Sequence, residues 1–376
     1  MEKRKTLVMD IHIPYCIYPE KYLRHFNAIG TNEQKNMYLE AAMREVLSYE
    51  GELEEYEIRA IRLGGGSATV MKPDLLGKLL SLVRHKLPVA KGVEVSFDAL
   101  PNTIGTPSLT GIAAGNPNRT EMMMRSDNDE ELKTLNCAFR TQDVRNALFF
   151  LNKFHVNNIS LTVNYGIPGQ TMNSWHDTLH TCTNIRPHHI TIEPLAVTDA
   201  EGMPDEQTRF EMYDHACSYL VEKGYIQYAG GLFCQPRHEY RFEALKMNGA
   251  SCIGIGVNAC TVLDGYFTRN TNNCGLYVKN AGDFSKLTSQ VYKVDENYLM
   301  RNYIEGRLKL LQGLEPDAFQ ERFGRTIPEK EIAVFDKKIS KGLMEMKNGA
   351  YVLTRKGLFL NENSMISNDQ TGKNEK

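Results

Sequence analysis

An α/β fold built on a mostly parallel sheet is what this sequence predicts, on three observations. Apolar strand patterns alternate with helical patterns through about the first 260 residues, the signature of repeated βα units. Two of the strands run directly into glycine turns, Leu63 into Gly64-Gly65-Gly66 and Tyr165 into Gly166. The length, 376 residues, suits one large α/β domain followed by a smaller one. A partial barrel and a doubly wound sheet both satisfy the pattern, and in either the ligand binds at the carboxyl ends of the strands.

Leu7 to Ile13 reads as the first strand, and Glu33 to Leu47, with apolar residues three and four apart, as the first helix. Ile58 to Leu63 is the second strand. Leu75 to Leu87 is the next helix, with Pro73 near its start, where a missing N–H leaves no hydrogen bond unmade. Val93 to Leu100 is the third strand. Thr141 to Phe154 reads as a helix with Thr141 as N-cap and Asp143 in its first turn. Strand Ile159 to Tyr165, a helix from about Asn173 to Cys182, strand His189 to Ile192 and helix Phe210 to Lys223, stopped at Gly224, follow. Cys252 to Cys260 reads as a buried glycine-bearing strand. Asn297 to Leu311 and Glu329 to Lys341 are helices, and Leu343 to Thr354 is a hairpin turning at Asn348-Gly349. A last short helix opens at Thr354, and helix, helix, hairpin resembles a winged-helix module. Beyond about Ile366 the chain is polar, and disorder is expected.

Composition removes several function classes. The 44 Lys and Arg against 46 Asp and Glu leave a net charge of −2, without the positive surplus of a nucleic-acid binder. Apolar runs such as Ala147 to Leu151 are too short to span a bilayer, and the basic N-terminus leads into a strand rather than a signal peptide, so a cytoplasmic protein is expected. No two of the cysteines at positions 16, 137, 182, 217, 234, 252, 260 and 274 lie closer than eight residues, which excludes zinc ribbons, ferredoxin loops and thioredoxin motifs.

Certain residues could carry chemistry, each beside a structural alternative. The Gly64-Gly65-Gly66-Ser67 turn lets backbone N–H groups approach a charged ligand, or is a tight turn only. Asp98 faces the ligand rim or bonds nearby backbone. His12 and Cys16, four apart on one strand face, could share a metal, though a hydrogen-bonded core histidine explains His12 as well. In Gly166-Ile167-Pro168-Gly169-Gln170-Thr171, glycine and proline fix a sharp strand-to-helix turn, with Gly166, Gly169 and Gln170 at the rim. Gly254 and Gly256 allow a planar ligand close to the backbone, or close packing.

Taken in order, the strings IHIPYC (11–16), RLGGGSAT (62–69), NISL and YGIPGQT (158–171), GYIQY (224–228), GIGVNA (254–259), RNT (269–271) and TRKGLFL (354–360) resemble the radical SAM family of oxygen-independent coproporphyrinogen III dehydrogenase and the heme chaperones. The resemblance covers about Val8 to Leu360. It implies a partial (β/α) barrel over 1–290, including an extension over 230–290. A winged-helix-like domain over 291–366 and a disordered tail over 367–376 complete the expected organisation.

The same resemblance implies S-adenosylmethionine at the glycine turn and a four-iron cluster held by a C-x3-C-x2-C loop. Here that loop reads Cys16, Glu20, Leu23, and leucine cannot ligate iron. Other departures also fall on side chains. Asp10 replaces an aromatic, Ala68 a proline, and Asp98-Ala99-Leu100-Pro101 stands for E-A-N-P. Met124-Arg125-Ser126-Asp127 stands for V-Q-S-F, Cys137 and Phe139 for R-x-H, Thr162 for an acid, and Phe242 to Met247 for the H-N-x-x-Y-W string of the heme chaperones. Glycines persist while ligand-binding side chains do not.

The expectation is therefore a degenerate homologue with no catalytic residue. It would bind heme, another tetrapyrrole or a protein partner, with Cys16 a relict metal position and no cluster assembled. His238, Cys234 and His12 are candidate axial ligands. The expected cofactor-facing residues are Gly64, Gly65, Gly66, Ser67, Asp98, Gly166, Gly169, Gln170, Gly254 and Gly256. Two alternatives stand beside this: an active radical SAM oxidoreductase with atypical ligands such as Glu20 and His25, and a winged-helix regulator using Arg355 and Lys356.

Overall fold

The computed structural model describes residues 4–22, 28–113, 115–156, 158–197 and 199–362. Leu23, His25 and the expected disordered tail lie outside the described residues. The strands are β1 (Lys5–Ile13), β2 (Tyr56–Gly65), β3 (Val89–Ala99), β4 (Arg119–Arg125), β5 (Ile159–Tyr165), β6 (His189–Pro194), β7 (Ile226–Ala229), β8 (Leu232–Cys234), β9 (Ser251–Ile255), β10 (Cys260–Leu263), β11 (Tyr266–Asn270), β12 (Thr288–Lys293), β13 (Met344–Lys347) and β14 (Ala350–Leu353). The chain divides into two compact units. Met1–Thr162, Tyr240–Lys246 and Ala250–Asp295 form the first; Val163–Glu239, Met247–Gly249 and Glu296–Lys376 form the second.

In the first unit β9, β1, β2, β3 and β4 lie side by side and parallel, and β10, β11 and β12 extend the β9 edge antiparallel. Side chains alternate across a strand, so register fixes which residues share a face. One face carries Leu7, Met9, Ile11, Ile61, Leu63, Val95 and Phe97, all buried. The other carries three rows, the last two of them mostly polar. Val8, Ala60 and Glu94 line up, then Gly254, Asp10, Arg62, Ser96 and Arg119, then His12, Gly64, Asp98 and Glu121. Tyr240 and Phe242 close over the first two rows. Phe242 packs with Val8, Ala60 and Tyr240, and the Tyr240 hydroxyl shares a 2.9 Å hydrogen bond with Ser96.

In the second unit β6, β8 and β7 form an antiparallel group, and helices Met172–Ile185 and Glu206–Glu222 pack together. Trp175 is fully buried and donates from Nε1 to the Met212 carbonyl at 2.8 Å. Helices Glu296–Lys309, Pro316–Phe323 and Glu329–Ser340 precede the β13–β14 hairpin, whose turn residues Asn348 and Gly349 have φ of 52° and 81°. This is the turn geometry that the Asn-Gly pair predicts.

The structure departs from the sequence reading at definite places. Cys252 to Cys260 is not one strand. β9 ends at Ile255, and Gly256 (φ 113°) and Asn258 (φ 56°) turn the chain into β10. Arg140, not Thr141, caps helix Thr141–Lys153, and its N–H donates to Asp143 Oδ2 at 2.8 Å. β4 was hidden because Arg119, Glu121 and three methionines give no strand-like run, yet all seven of its residues are buried.

Candidate functional site

The carboxyl ends of β1 to β4 meet at one rim of the first unit. Residues 13–16, the 64–67 turn, 98–101 and 125–128 come together there. Gly66 N–H donates to the Ile13 carbonyl (2.6 Å) and Ser67 N–H to the Tyr15 carbonyl (2.9 Å), which ties the glycine turn to the segment ending at Cys16. The three glycines have a packing reason. A Cβ on Gly64 would overlap Asp98, one on Gly65 (φ 106°) the His12 ring, and one on Gly66 the Tyr15 carbonyl. Ser67 Oγ accepts from Leu100 N–H at 3.2 Å and bonds Thr69 Oγ1, joining the β2 and β3 ends.

Asp98, 1% exposed, accepts from Arg62 Nη2 at 2.6 Å and from Gly65 N–H at 3.1 Å. Burial pushes its carboxyl up against the pull of Arg62. Arg62 also lies 3.8 Å from Asp10. Asp98 is thus a buried carboxylate at the end of β3 that spends its oxygens on a guanidinium and on the glycine turn. Burial pulls His12 below the ordinary imidazole range, a neutral ring packed against Gly65.

The relict loop holds the feature that sequence reasoning missed. Glu20, at the second cluster-cysteine position, lies 3.0 Å from Arg125 Nη2, and the two side chains are 7% and 1% exposed. Its other oxygen, Oε1, accepts from the Cys137 thiol at 3.3 Å. Burial, reinforced by the Glu20 carboxylate, pushes the Cys137 thiol well above its usual range. Lys21 N–H to the Leu135 carbonyl (2.8 Å) and Asn136 Nδ2 to the Pro19 carbonyl (2.8 Å) fasten the same two segments. Arg125 ends β4 at φ 63°, a left-handed conformation that a non-glycine residue adopts at some cost. Cys16 is buried, its thiol 3.8 Å from the Ala28 carbonyl, and burial with Glu20 raises its pKa despite Lys35. Among the described residues no group of three or more His, Cys, Asp or Glu is placed to hold a metal ion.

Deeper in the first unit, Arg119 is fully buried between Glu121 (Nε to Oε1, 2.7 Å) and Glu94 (3.5 Å), with its guanidinium over the Tyr240 ring at 4.7 Å. Burial lifts Glu121 to about 7 against Arg119. Alternate charged residues in β3 and β4, Glu94 and Asp98, Arg119 and Glu121, were the available sequence signal.

The glycine strings GIGVNA and RNT converge on one buried carboxylate. Glu45 accepts from Gly256 N–H (2.8 Å), Asn270 Nδ2 (2.7 Å) and Tyr277 O–H (2.6 Å). Tyr38 O–H donates to the His12 carbonyl (2.7 Å) and accepts from Val257 N–H (3.0 Å). A Cβ on Gly256 would overlap the His12 carbonyl and Tyr38 hydroxyl, and one on Gly254 the Cys260 backbone. Both glycines therefore pack backbone against backbone beside β1.

In the second unit Gln170 Oε1 accepts from Gly166 N–H (2.7 Å) and Ile167 N–H (3.3 Å), so Gln170 braces its own turn, and Gly169 sits at φ 81°. Cys234 is fully buried on β8, and the His188 and His238 rings lie 4.4 Å apart. No helix among the described residues is long and apolar enough to cross a membrane.

No family model matches the sequence. The chain is 24% identical over 367 residues to the heme chaperone HemW of Buchnera aphidicola, covering 93% of this chain and 95% of that one. It is 21% identical over 392 residues to the oxygen-independent coproporphyrinogen III oxidase of Salmonella typhimurium, covering 96% and 84%. Among solved structures it shares the fold of the radical SAM enzyme coproporphyrinogen III oxidase (HemN) of Escherichia coli, at a TM-score of 0.82 and 16% identity, over 96% of this chain and 90% of that one.

Proposed function

We propose that this chain, a homologue of the radical SAM proteins that include HemW and oxygen-independent coproporphyrinogen III oxidase, is a non-catalytic binder of a tetrapyrrole, heme first among them, or of a protein partner in porphyrin metabolism. The observation that carries the non-catalytic half is the Glu20–Arg125–Cys137 cluster. A four-iron cluster with one iron open to S-adenosylmethionine needs three thiolates. This loop offers one thiol, at Cys16, and a carboxylate at Glu20 committed to a guanidinium and a second thiol. That donor set does not fit the cluster, and soft iron–sulfur sites discriminate against carboxylate. The departures at Arg125 and Cys137 support the reading further, since they are what gives Glu20 its two partners.

The tetrapyrrole half rests on the relatives, which are named for heme and for coproporphyrinogen III. Two measurements test the proposal. Anaerobic reconstitution with iron and sulfide should leave iron well below one cluster per chain and should give no reductive cleavage of S-adenosylmethionine. A stoichiometric cluster with cleavage would overturn the non-catalytic reading in favour of an active oxidoreductase. Titration with hemin should give a saturable absorbance change near one equivalent. No saturable change would remove the tetrapyrrole half.

A further inference from the structure

Helix Asn32–Leu47 and helix Cys274–Asn280, both in the first unit, leave a groove of about 520 Å³ between them. Its volume lies within the span of small-molecule pockets, about 300–1,000 Å³. Four features of its lining bear on what it can hold. Met37 and Val278 supply apolar walls, and Met37 is 45% exposed. Arg44 and Lys279 supply two positive charges. The Arg44 guanidinium is held in place by the carbonyls of Val278 (2.6 Å) and Ala281 (3.4 Å), while Lys279 is exposed. Cys274 lines the same groove with a half-buried thiol. Tyr15, 4% exposed, also lines it, and its hydroxyl makes no hydrogen bond among the described residues. Its oxygen is not among the sealed, unpartnered polar atoms and so opens on the groove, where a bound group can take the place of water.

We propose that this groove is a binding site for an iron tetrapyrrole, with the Cys274 sulfur on the iron, Arg44 and Lys279 meeting the carboxylates, and Tyr15 donating its hydroxyl proton to the bound group. The inference rests on the tetrapyrrole reading above and deepens it by naming the site. A flat macrocycle with an apolar body matches Met37 and Val278, and its paired carboxylates match two cations opposed by the single acid Glu40. Sulfur is a soft ligand suited to heme iron. Cys182, Cys217 and Cys234 are fully buried, and Cys137 is engaged by Glu20, whereas Cys274 opens on a cavity. On binding ferric iron the Fe–S bond would form as the S–H bond breaks heterolytically and the proton leaves to solvent.

Hemin titration of the full chain, followed by its Soret band, tests the site in three forms of the protein. Wild type should bind one equivalent with a thiolate-type spectrum. Cys274→Ser should weaken binding by at least about tenfold, the lower end of losses at metal sites, and should lose that spectrum. Lys279→Glu, at an exposed position that leaves folding intact, should weaken binding about threefold and keep the spectrum. If wild type binds hemin and both variants bind it equally well, the site lies elsewhere and this inference falls while the tetrapyrrole reading stands. If wild type takes up no hemin, both fall together.

Discussion

Arg125→Met is expected to destabilise the first unit by about 3–5 kcal/mol, the range for breaking a buried ion pair from one side. Arg125 is 1% exposed and Glu20 7%, so neither charge can turn to water when its partner goes. The variant would leave a buried carboxylate whose remaining donor among the described residues is the weak Cys137 thiol. Glu20→Gln combined with Arg125→Met removes both charges while keeping an acceptor for that thiol. It should recover more than half of the loss. Urea midpoints of the two single variants and the double variant, read as a double-mutant cycle, check this. A coupling energy below about 0.5 kcal/mol would show that the two side chains act independently, as additive distant sites do.

The same pair constrains any attempt to restore the metal site. Glu20→Cys with Leu23→Cys returns three cysteines at the resembled spacing, but leaves the Arg125 guanidinium buried beside position 20 without its carboxylate. The resembled string carries glutamine at position 125. Adding Arg125→Gln is therefore expected to raise the iron bound after anaerobic reconstitution well above the two-cysteine variant. Equal iron content with and without that third change would mean that Arg125 does not govern what the loop can hold.

Much of the fold was legible because strands and helices of the first unit obey simple periodicities. Leu7 to Ile13 and Ile58 to Leu63 are apolar enough to announce buried strands, and they appear as β1 and β2 with longer ends. The Asn348-Gly349 turn is read correctly for a local reason, since both positions need positive φ. β4 was not legible. Its inward residues Arg119 and Glu121 neutralise each other in space, and the chain alone does not say that two charges will be buried as a pair. The candidate site divides in the same way. Cys16, Gly64 to Gly66 and Asp98 were found and do meet at one rim. Glu20 was seen only as a missing cysteine, because its partners Arg125 and Cys137 lie more than a hundred residues away and look like unrelated losses. Glu45 carried no signal at all, since a glutamate inside an amphipathic helix pattern reads as solvated until Gly256, Asn270 and Tyr277 close around it.

That buried glutamate makes the stability of the first unit depend on pH in a direction opposite to an ordinary salt-bridged acid. Burial raises Glu45 to about 7 from 4.5, even though three donors favour its charged form. Between these values the folded state holds a proton that the unfolded chain has released. Stability is therefore fully present below about pH 4.5 and falls as pH rises towards 7, by at most about 1.4 kcal/mol per pH unit for this one group. Glu121, also lifted to about 7, adds in the same sense. Glu45→Gln removes the titration; its carbonyl oxygen, in the place of Oε2, still accepts from Gly256 N–H and Tyr277 O–H, but its NH2, in the place of Oε1, cannot accept from Asn270 Nδ2. One buried donor is left unpaired at a cost of about 1–3 kcal/mol. The variant is thus expected to be the less stable protein at pH 5 and to approach wild type by pH 8. Urea midpoints at pH 5, 6, 7 and 8 measure this, and two parallel curves would mean that Glu45 is ionised throughout. Because Glu45 bonds Tyr277 in helix Cys274–Asn280, and Arg44 beside it bonds Val278 in the same helix, loss of this carboxylate should also loosen the wall that carries Cys274. Hydrogen exchange in that helix should then quicken in Glu45→Gln before exchange in β1 and β2 does.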